Sequence, residues 1–358
     1  MRIKKALFLG TLCTAVSGMS LFAQAGVSYA KSAEKTTEAA SSEEAESEEE
    51  TSEEVTYPIT IEHAFGETVI ESKPERIATV GWGNQDTPLA LGIAPVGVSA
   101  ANYGLVTDHK LHLWTDEAFA DLGVEEPVVF DDVDGLDFEQ ISDCNPDVIL
   151  AAYSGMTQED YDTLSQIAPV IPYKENPWQT TWREQTIENA EGMGMKPEGE
   201  KKVKEVEDLI AEKLEEYPQL EGIPTAFCWI SADDFSTFYV YLPTDPRAAY
   251  LLDLGFTLPE SVQKLAGETD DFNITVSREN ADQLDDIQLM VVYGDEDLLK
   301  SLQEDKLMSQ IPAIKNGAVA LVDSTSALAG ACTPSILSIP YEIDEYLQLL
   351  SDAAENIK

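Results

Sequence analysis

Residues 197–217 read PEGEKKVKEVEDLIAEKLEEY, a stretch with no Gly or Pro after Gly199. Lys and Glu fill most of it, and apolar residues recur at the spacing of one helix face, at Val203, Val206, Leu209, Ile210, Leu214 and Tyr217. Pro218 ends the pattern, because proline interrupts a helix. At 1.5 Å per residue the predicted helix is about 30 Å long, which is the width of a small domain.

The same order of elements lies on both sides of this helix. Upstream, the pattern predicts helix, strand, helix and strand over Leu136–Cys144, Asp147–Tyr153, Gln158–Ala168 and Val170–Pro172. Downstream, the same order falls on Arg278–Leu284, Gln288–Tyr293, Glu296–Ser309 and Ala318–Val322. The repetition predicts an α/β fold of two Rossmann-like lobes with mainly parallel sheets, over residues 57–196 and 218–358, joined by one long inter-lobe helix. The alternative is a surface helix within one large α/β domain.

The N-terminal segment is typical of an exported protein. A basic start and an apolar stretch end at small residues, which predicts a signal peptide over residues 1–25, with cleavage as late as Ala30 as an alternative. Lipidation of Cys13 stays open. Residues 31–56 are rich in Ser, Thr, Ala and Glu and predict a disordered acidic tether. We therefore expect an extracytoplasmic protein, in a periplasm or at the outer face of the cell membrane.

Charge and cysteine content limit the possible functions. The chain of 358 residues carries a formal net charge of −45, which disfavours nucleic acid and anionic lipid as partners. Three cysteines remain after the leader, so a complete disulfide framework is excluded. Cys144 and Cys228 are expected to pack as small apolar residues, and a bridge between Cys228 and Cys332 stays open.

Candidate site residues follow predicted strands at their carboxyl ends, where parallel sheets bind ligands. In the first lobe, three loops meet this condition, and their candidates are Trp82, Asn84, Gln85, Asp86, Asn102, Tyr103, Tyr153 and Ser154. Asp86 or Thr87 is also the predicted N-cap of the next helix. Trp178, Trp182 and Arg183 precede the long helix and are able to line a cleft or to pack on that helix.

In the second lobe, Arg247 is the most informative cation of a chain with few. It opens a predicted helix, and its guanidinium suits two-point binding of an oxygen-rich ligand, with a surface salt bridge as the alternative. Weaker candidates are Tyr239, Tyr241, Tyr293 and Ser326. His109 and His112 are predicted to be surface residues, and we expect no metal site and no cofactor. The sequence contains none of the common hydrolase or nucleotide-binding motifs, so we expect no enzyme.

Seven segments, in order along the chain, resemble the class III substrate-binding proteins of bacterial ABC importers, the family that binds iron-siderophores and cobalamin. They are KPERIATV (73–80), ALGIAPVGV (90–98), DFEQISDCNPDVIL (137–150), IAPVI (167–171), LLDLG (251–255), ITVSRE (274–279) and IPAIKNGAV (311–319). The resemblance implies two lobes, one connecting helix, a ligand cleft between the lobes, and delivery of the ligand to a membrane permease. It also implies acidic residues that dock on the permease, for which Glu159, Asp160 and Asp253 are candidates.

These observations predict a solute-binding protein that captures an iron-siderophore complex and delivers it to an ABC importer permease. A neutral ferric hydroxamate suits the acidic chain better than an anionic catecholate. The alternatives are cobalamin or haem on the same scaffold, a secreted hydrolase, and a ligand sensor. We expect a monomer whose small-molecule partner is a metal chelate, and no nucleic-acid partner.

Overall fold

The computed structural model describes residues 55–132 and 135–358. The predicted signal peptide, Cys13 and the tether as far as residue 54 lie outside the described residues. Within the described part, no helix combines the length and apolar character needed to cross a membrane.

The first lobe contains a hairpin and a five-stranded sheet. The hairpin pairs β1 (Ile59–His63) with β2 (Gly66–Ile70). The sheet has the strand order β5-β4-β3-β6-β7 and is parallel throughout, with β3 at Ile77–Thr79, β4 at Gly97–Ser99, β5 at Val129–Phe130, β6 at Val148–Ala151 and β7 at Val170–Pro172. Its helices are α1 (Asp86–Ala90), α2 (Leu113–Asp121), α3 (Phe138–Asp143), α4 (Gln158–Leu164) and α5 (Trp182–Gly192).

The long helix is α6 (Lys196–Leu214), with 19 residues. Val203, Val206 and Ile210 are buried, so the apolar face predicted from the sequence is the face that packs. The helix ends three residues before the predicted end. The N–H of Tyr217 donates to the carbonyl of Leu214 at 3.0 Å, a bond of the tighter i to i−3 kind that leads the chain out of the α-helix towards Pro218. The predicted lobe boundaries stay predictions.

The second lobe also has a five-stranded sheet, in the order β10-β9-β8-β11-β12. Its strands are β8 (Thr225–Trp229), β9 (Thr237–Tyr241), β10 (Asn273–Ser277), β11 (Leu289–Tyr293) and β12 (Val319–Val322). Strands β8, β11 and β12 are parallel, whereas β9 is antiparallel to both of its neighbours. Its α-helices are α7 (Pro246–Asp253), α8 (Glu260–Ala266), α9 (Glu296–Glu304), α10 (Pro312–Asn316), α11 (Ala327–Ala331) and α12 (Ser338–Ala354). Two separate, mainly parallel sheets confirm the predicted two-lobed α/β fold.

Two local predictions need correction, and the open question of a Cys228–Cys332 bridge is answered. The predicted helix at Arg278–Leu284 is a 3-10 helix over Arg278–Gln283, one of three with Pro218–Leu220 and Met308–Gln310. Helix α1 begins at Asp86 after the N-cap Gln85, so neither Asp86 nor Thr87 is the cap. Cys144, Cys228 and Cys332 are free thiols. Cys228 and Cys332 lie in different apolar clusters, which explains why they do not pair.

Candidate functional site

Three aromatic rings form a wall at the carboxyl ends of β3 and β6. Trp82 meets the ring of Trp178 edge-on at 5.5 Å, and Trp178 meets Tyr153 edge-on at 5.3 Å. Gly81 makes this packing possible, because a Cβ at Gly81 would lie 2.6 Å from the carbonyl oxygen of Tyr153. Trp178 has φ of +61°, a conformation that few non-glycine residues adopt, and such backbone strain is concentrated at functional sites.

The second lobe contributes an arginine held between a ring and a carboxylate. The Arg247 guanidinium lies 3.9 Å above the centre of the Tyr241 ring. Its Nε donates to Asp245 Oδ1 at 2.8 Å and its Nη2 donates to Asp245 Oδ2 at 2.6 Å. Although burial disfavours the charge, these hydrogen bonds to Asp245 hold the pKa of Arg247 well above its usual value. Arg247 is therefore a charged donor whose charge is already balanced.

The second lobe also carries an exposed aromatic pair. Trp229 and Tyr239 are cross-strand partners on β8 and β9, with stacked rings 5.5 Å apart. They are 41% and 40% exposed. Because side chains two residues apart on a strand share a face, the pair lies on the same face of the sheet as Phe227 and Tyr241. The sequence-based reasoning missed Trp229, although its place at the carboxyl end of a buried strand was the signal used elsewhere.

The two lobes meet beside these walls. Tyr103 packs edge-on against Tyr293 with ring centres 5.1 Å apart, and the N–H of Leu105 donates to the carbonyl of Ser326 at 2.9 Å. Burial raises the pKa of the Tyr103 hydroxyl to about 12, and burial also raises the pKa of Tyr153. Both phenols therefore stay neutral donors at physiological pH.

Two cavities open between and beside these residues, with empty volumes of about 570 and 900 Å³. Both are bounded by Gly81, Trp82, Ser99, Ala100 and Asn102, so they form one cleft. The smaller cavity also reaches residues of the second lobe, at Gly330 and Thr333–Ser335. The larger cavity is bounded by first-lobe residues that include Asp132, Ser154, Met156, Asp160 and Trp178.

The structure brings the first-lobe candidates, with few exceptions, to this cleft. The predicted residues that border the smaller cavity are Trp82, Gln85, Asp86, Asn102, Tyr103 and Tyr153. Ser154 and Trp178 line the larger one. The second-lobe candidates border neither cavity: Tyr293 packs on Tyr103, Arg247 stacks on Tyr241, and Tyr239 stacks on Trp229. Ser326 instead caps α11 and accepts a hydrogen bond from the N–H of Ala329.

Asn84 does not face the cleft, which corrects its predicted ligand role. It is 0% exposed, and its Nδ2 donates to the carbonyl oxygens of Val80 and Tyr153 at 2.8 and 3.0 Å. Its Oδ1 accepts from the N–H of Tyr153 at 3.1 Å and from Asn189 Nδ2 at 3.0 Å. Asn84 therefore fixes the loop that presents Trp82.

Trp182 and Arg183 also lie outside the cleft. Trp182 is 2% exposed in the apolar core, and its Nε1 donates to Asp253 Oδ2 at 2.9 Å. Arg183 stacks on Trp182 at 4.4 Å and pairs with both Glu207 and Asp253, at 2.6 and 2.7 Å. These contacts connect α5, α6 and α7. Asp253 is consequently engaged within the molecule, which contradicts its predicted availability for permease docking.

The other predicted docking acids differ from each other. Asp160 closes a capping box at the start of α4, where its Oδ2 accepts from the N–H and hydroxyl of Thr157 at 2.9 and 2.7 Å. Glu159 is an exposed residue of the same first turn.

Asp86 joins the lobes through a buried carboxylate. It is 1% exposed and accepts hydrogen bonds from Trp114 Nε1 at 2.9 Å, from Thr115 Oγ1 at 2.8 Å, and from Ser335 Oγ of the second lobe. Burial raises the pKa of Asp86 to about 6, although all three donors oppose the shift. These bonds explain why Asp86 does not serve as a helix cap.

The two histidines that were predicted to lie at the surface, His109 and His112, differ in environment. His109 is half-buried and pairs with Asp116 at 2.8 Å, whereas His112 stacks on Trp114 at 4.5 Å. His112 is half-buried and borders the smaller cavity, which differs from the surface position predicted for it, and burial lowers its pKa to about 4. Among the described residues, no group of three or more His, Cys, Asp or Glu is arranged to hold a metal ion.

Known proteins share both sequence and fold with this chain. PiaA of Streptococcus pneumoniae TIGR4, solved in complex with ferrichrome, is 48% identical with a TM-score of 0.81, and the match covers 84% of this chain and 100% of PiaA. The petrobactin-binding protein YclQ of Bacillus subtilis (strain 168) is 25% identical over 306 residues, which are 81% of this chain and 88% of YclQ.

More distant structures share the fold alone. Staphylococcus aureus SirA, solved with staphyloferrin B, is 23% identical with a TM-score of 0.64, and the match covers 84% of this chain and 99% of SirA.

The family model described as periplasmic binding protein matches residues 77–325. The chain therefore belongs to the periplasmic binding protein family, which confirms the predicted resemblance to the class III substrate-binding proteins of ABC importers.

Proposed function

We propose that this protein is an extracytoplasmic solute-binding protein that captures a ferric siderophore of the hydroxamate type in its cleft and delivers it to an ABC importer. It acts without catalysis or a cofactor, and as a monomer. The similarity to PiaA, which was solved with ferrichrome, supports this ligand class. The cleft between two lobes supports a binding role, because such clefts suit small molecules.

The single observation that carries the proposal is the ion pair of Arg247 with Asp245. A guanidinium has five N–H donors, and the pair with Asp245 uses two of them. The remaining donors are able to bind hydroxamate oxygens, while Asp245 balances the positive charge. Such a site suits a neutral chelate, since it provides hydrogen bonds without excess charge. A triply anionic catecholate would need cations that this arrangement does not offer.

The aromatic walls supply the apolar contact. Trp82, Trp178 and Tyr153 lie on the first lobe, and Tyr241 lies under Arg247 on the second. Rigid rings bury a large area with little loss of side-chain entropy, which suits a compact organic chelate. We place Trp229 and Tyr239 at the edge of the same site, because they share the sheet face of Tyr241.

The test is quenching of tryptophan fluorescence by ferrichrome, ferric enterobactin, cobalamin and haem. We expect saturable 1:1 quenching by ferrichrome at micromolar concentration or below, and weaker binding of the catecholate. Cobalamin and haem are the remaining candidates for the same scaffold, and their own visible bands would reveal them. Preferential binding of the catecholate would overturn the hydroxamate assignment.

Delivery to an importer separates the proposal from a sensor or a hydrolase. Glu159 stays our candidate docking acid on the first lobe, because it is exposed and Asp160 and Asp253 have partners within the molecule. We expect ferrichrome to be recovered unchanged after incubation with the protein, and Glu159→Gln to reduce uptake without reducing ferrichrome affinity. Hydrolysis of the bound chelate would favour the enzyme alternative.

A further inference from the structure

The larger cavity of the cleft has an unbalanced charge. Its lining includes two carboxylates, Asp132 and Asp160, and among the described residues that bound it there is no Lys, Arg or His. The two carboxylates are not equivalent. Asp160 accepts hydrogen bonds from Thr157 at the start of α4, where the helix dipole also favours a negative charge.

Asp132 is also stabilised by hydrogen bonds, two of which come from the backbone N–H groups of Asp132 and Ala100. Its side chain accepts a hydrogen bond from Ser99 Oγ, and the Ser99 hydroxyl oxygen in turn accepts from the N–H of Gly81 at 3.0 Å. In the described part of the chain, no cationic side chain forms an ion pair with Asp132. Burial raises the pKa of the Asp132 carboxyl, which shows that its negative charge is poorly solvated.

Two further features favour a positive group in this cavity. Trp82 and Trp178 border it, and tryptophan rings attract cations. On the opposite lobe, Asp245 already neutralises Arg247, so this arginine neither competes for Asp132 nor attracts an anion to the cavity. The larger cavity is therefore acidic, aromatic and only partly solvated.

We propose that Asp132 determines the charge preference of the cleft, so that the protein binds ferric hydroxamates with a cationic side arm more tightly than those with a neutral or anionic arm. This inference rests on the proposed function and specifies the ligand class within it. The side arm, a protonated primary amine, lies in the larger cavity beside Asp132 and the two tryptophans. The iron centre stays near Arg247.

A charge series on one chelate tests the inference directly. Ferrioxamine B is a linear ferric trihydroxamate with a terminal ammonium group; N-acetylation makes that end neutral, and N-succinylation makes it anionic. The ferric centre is the same in all three compounds. We expect calorimetric affinity to fall in the order cationic, neutral, anionic, by about tenfold per step at low salt, because the interaction takes place outside bulk water.

Two variants assign the effect to its residue. Asp132→Asn is expected to bring the three affinities within about threefold of one another, whatever happens to their absolute values. Glu139→Gln removes one negative charge from an exposed position on α3 that does not border the cavity, and it should leave the series as in the wild type. A series that is equally steep in Asp132→Asn would overturn the assignment to Asp132.

The outcomes also separate this inference from the proposed function. If neither ferrichrome nor any member of the series binds, the proposed function fails and the inference fails with it. If the chelates bind the wild type with equal affinity, or the anionic member binds best, the siderophore function stands and the inference is wrong. The wild-type series decides this even if Asp132→Asn does not fold.

Discussion

Two arginines that each stack on an aromatic ring and pair with an aspartate serve different purposes in this protein. Arg183 stacks on Trp182 at 4.4 Å and pairs with Asp253. Arg247 stacks on Tyr241 at 3.9 Å and pairs with Asp245. Each group therefore combines a guanidinium, an aromatic face and an aspartate.

The difference lies in what surrounds each group. Arg183 has a second carboxylate partner in Glu207 on the long helix, and Trp182 also donates to Asp253. The first group thus joins three helices in the region where the lobes connect. Arg247 pairs with Asp245 and stacks on Tyr241 within the second lobe. Position relative to the lobes, and not local chemistry, therefore separates a structural arginine from a candidate ligand-binding one.

The largest expected effect is a loss of stability on replacing Trp182, in the region where the lobes connect. Trp182→Ala should lower the free energy of unfolding by about 4 kcal/mol, since it opens a large cavity in the core and leaves Asp253 with one donor fewer. Urea denaturation followed by far-UV circular dichroism measures this loss. The matched change in the cleft, Trp178→Ala, should cost about 1 kcal/mol or less and weaken ferrichrome binding instead. Equal stability losses in the two variants would contradict the division between the regions.

The second prediction concerns Asp245, the buried carboxylate that pairs with Arg247. Arg247→Met should destabilise the protein by about 3 kcal/mol, because it leaves the Asp245 carboxylate, which is 0% exposed, without its cation. Arg247→Met combined with Asp245→Asn should recover most of this loss in thermal unfolding, since asparagine still caps α7.

Ferrichrome binding in the double variant should stay at least about tenfold weaker than in the wild type, because the guanidinium donors are gone. If the double variant regained wild-type affinity, Arg247 would have no role in ligand binding.

A smaller effect is expected at Asp253, the aspartate that pairs with Arg183. Asp253→Asn keeps an oxygen that accepts from Trp182 but removes the charge that faces Arg183, whose side chain is 30% exposed. Partly exposed ion pairs contribute little, so we expect a loss of about 1 kcal/mol in chemical denaturation. The affinity for ferrichrome should change less than twofold. A tenfold weaker affinity would show that this group influences the cleft directly.

The last prediction concerns Asp86, which differs from Asp245 and Asp253 because its three bonding partners are uncharged donors. Its pKa rises from 3.8 to about 6 on folding, so the folded state binds the proton more tightly than the unfolded state. The contribution of Asp86 to stability should therefore fall as the pH rises from about 4 to 6 and level off above that range. A tenfold difference in proton affinity between the folded and unfolded states corresponds to about 1.4 kcal/mol of stability.

Denaturation of wild type and Asp86→Asn at several pH values measures this contribution. The variant should lose part of the decline between pH 4 and 6, whereas Glu342, whose pKa burial raises to about 7, adds a decline of the same sign in both proteins. Parallel pH profiles in the two proteins would refute the role given to Asp86.

The sequence was sufficient to predict the two-lobed fold, because apolar periodicity and element order reflect local constraints. It also pointed to Trp82, Tyr103 and Tyr153, which border the cleft, and to Arg247, whose ligand role stays a proposal, since all four lie close to strand or helix ends. It could not separate them from Asn84, Trp182 and Arg183. Their burial depends on how the loops and lobes pack together, which a linear pattern does not contain. Trp229 was missed because its apolar strand was considered only as core.

The central claim is that one ferric chelate binds between the aromatic walls. Anomalous scattering at the iron absorption edge, from crystals of the protein grown with ferrichrome, locates the metal without assumptions about the ligand. We expect one iron peak per molecule, between the Trp82–Trp178 pair of the first lobe and Arg247 of the second. An iron peak outside this cleft, with the cleft unoccupied, would contradict it.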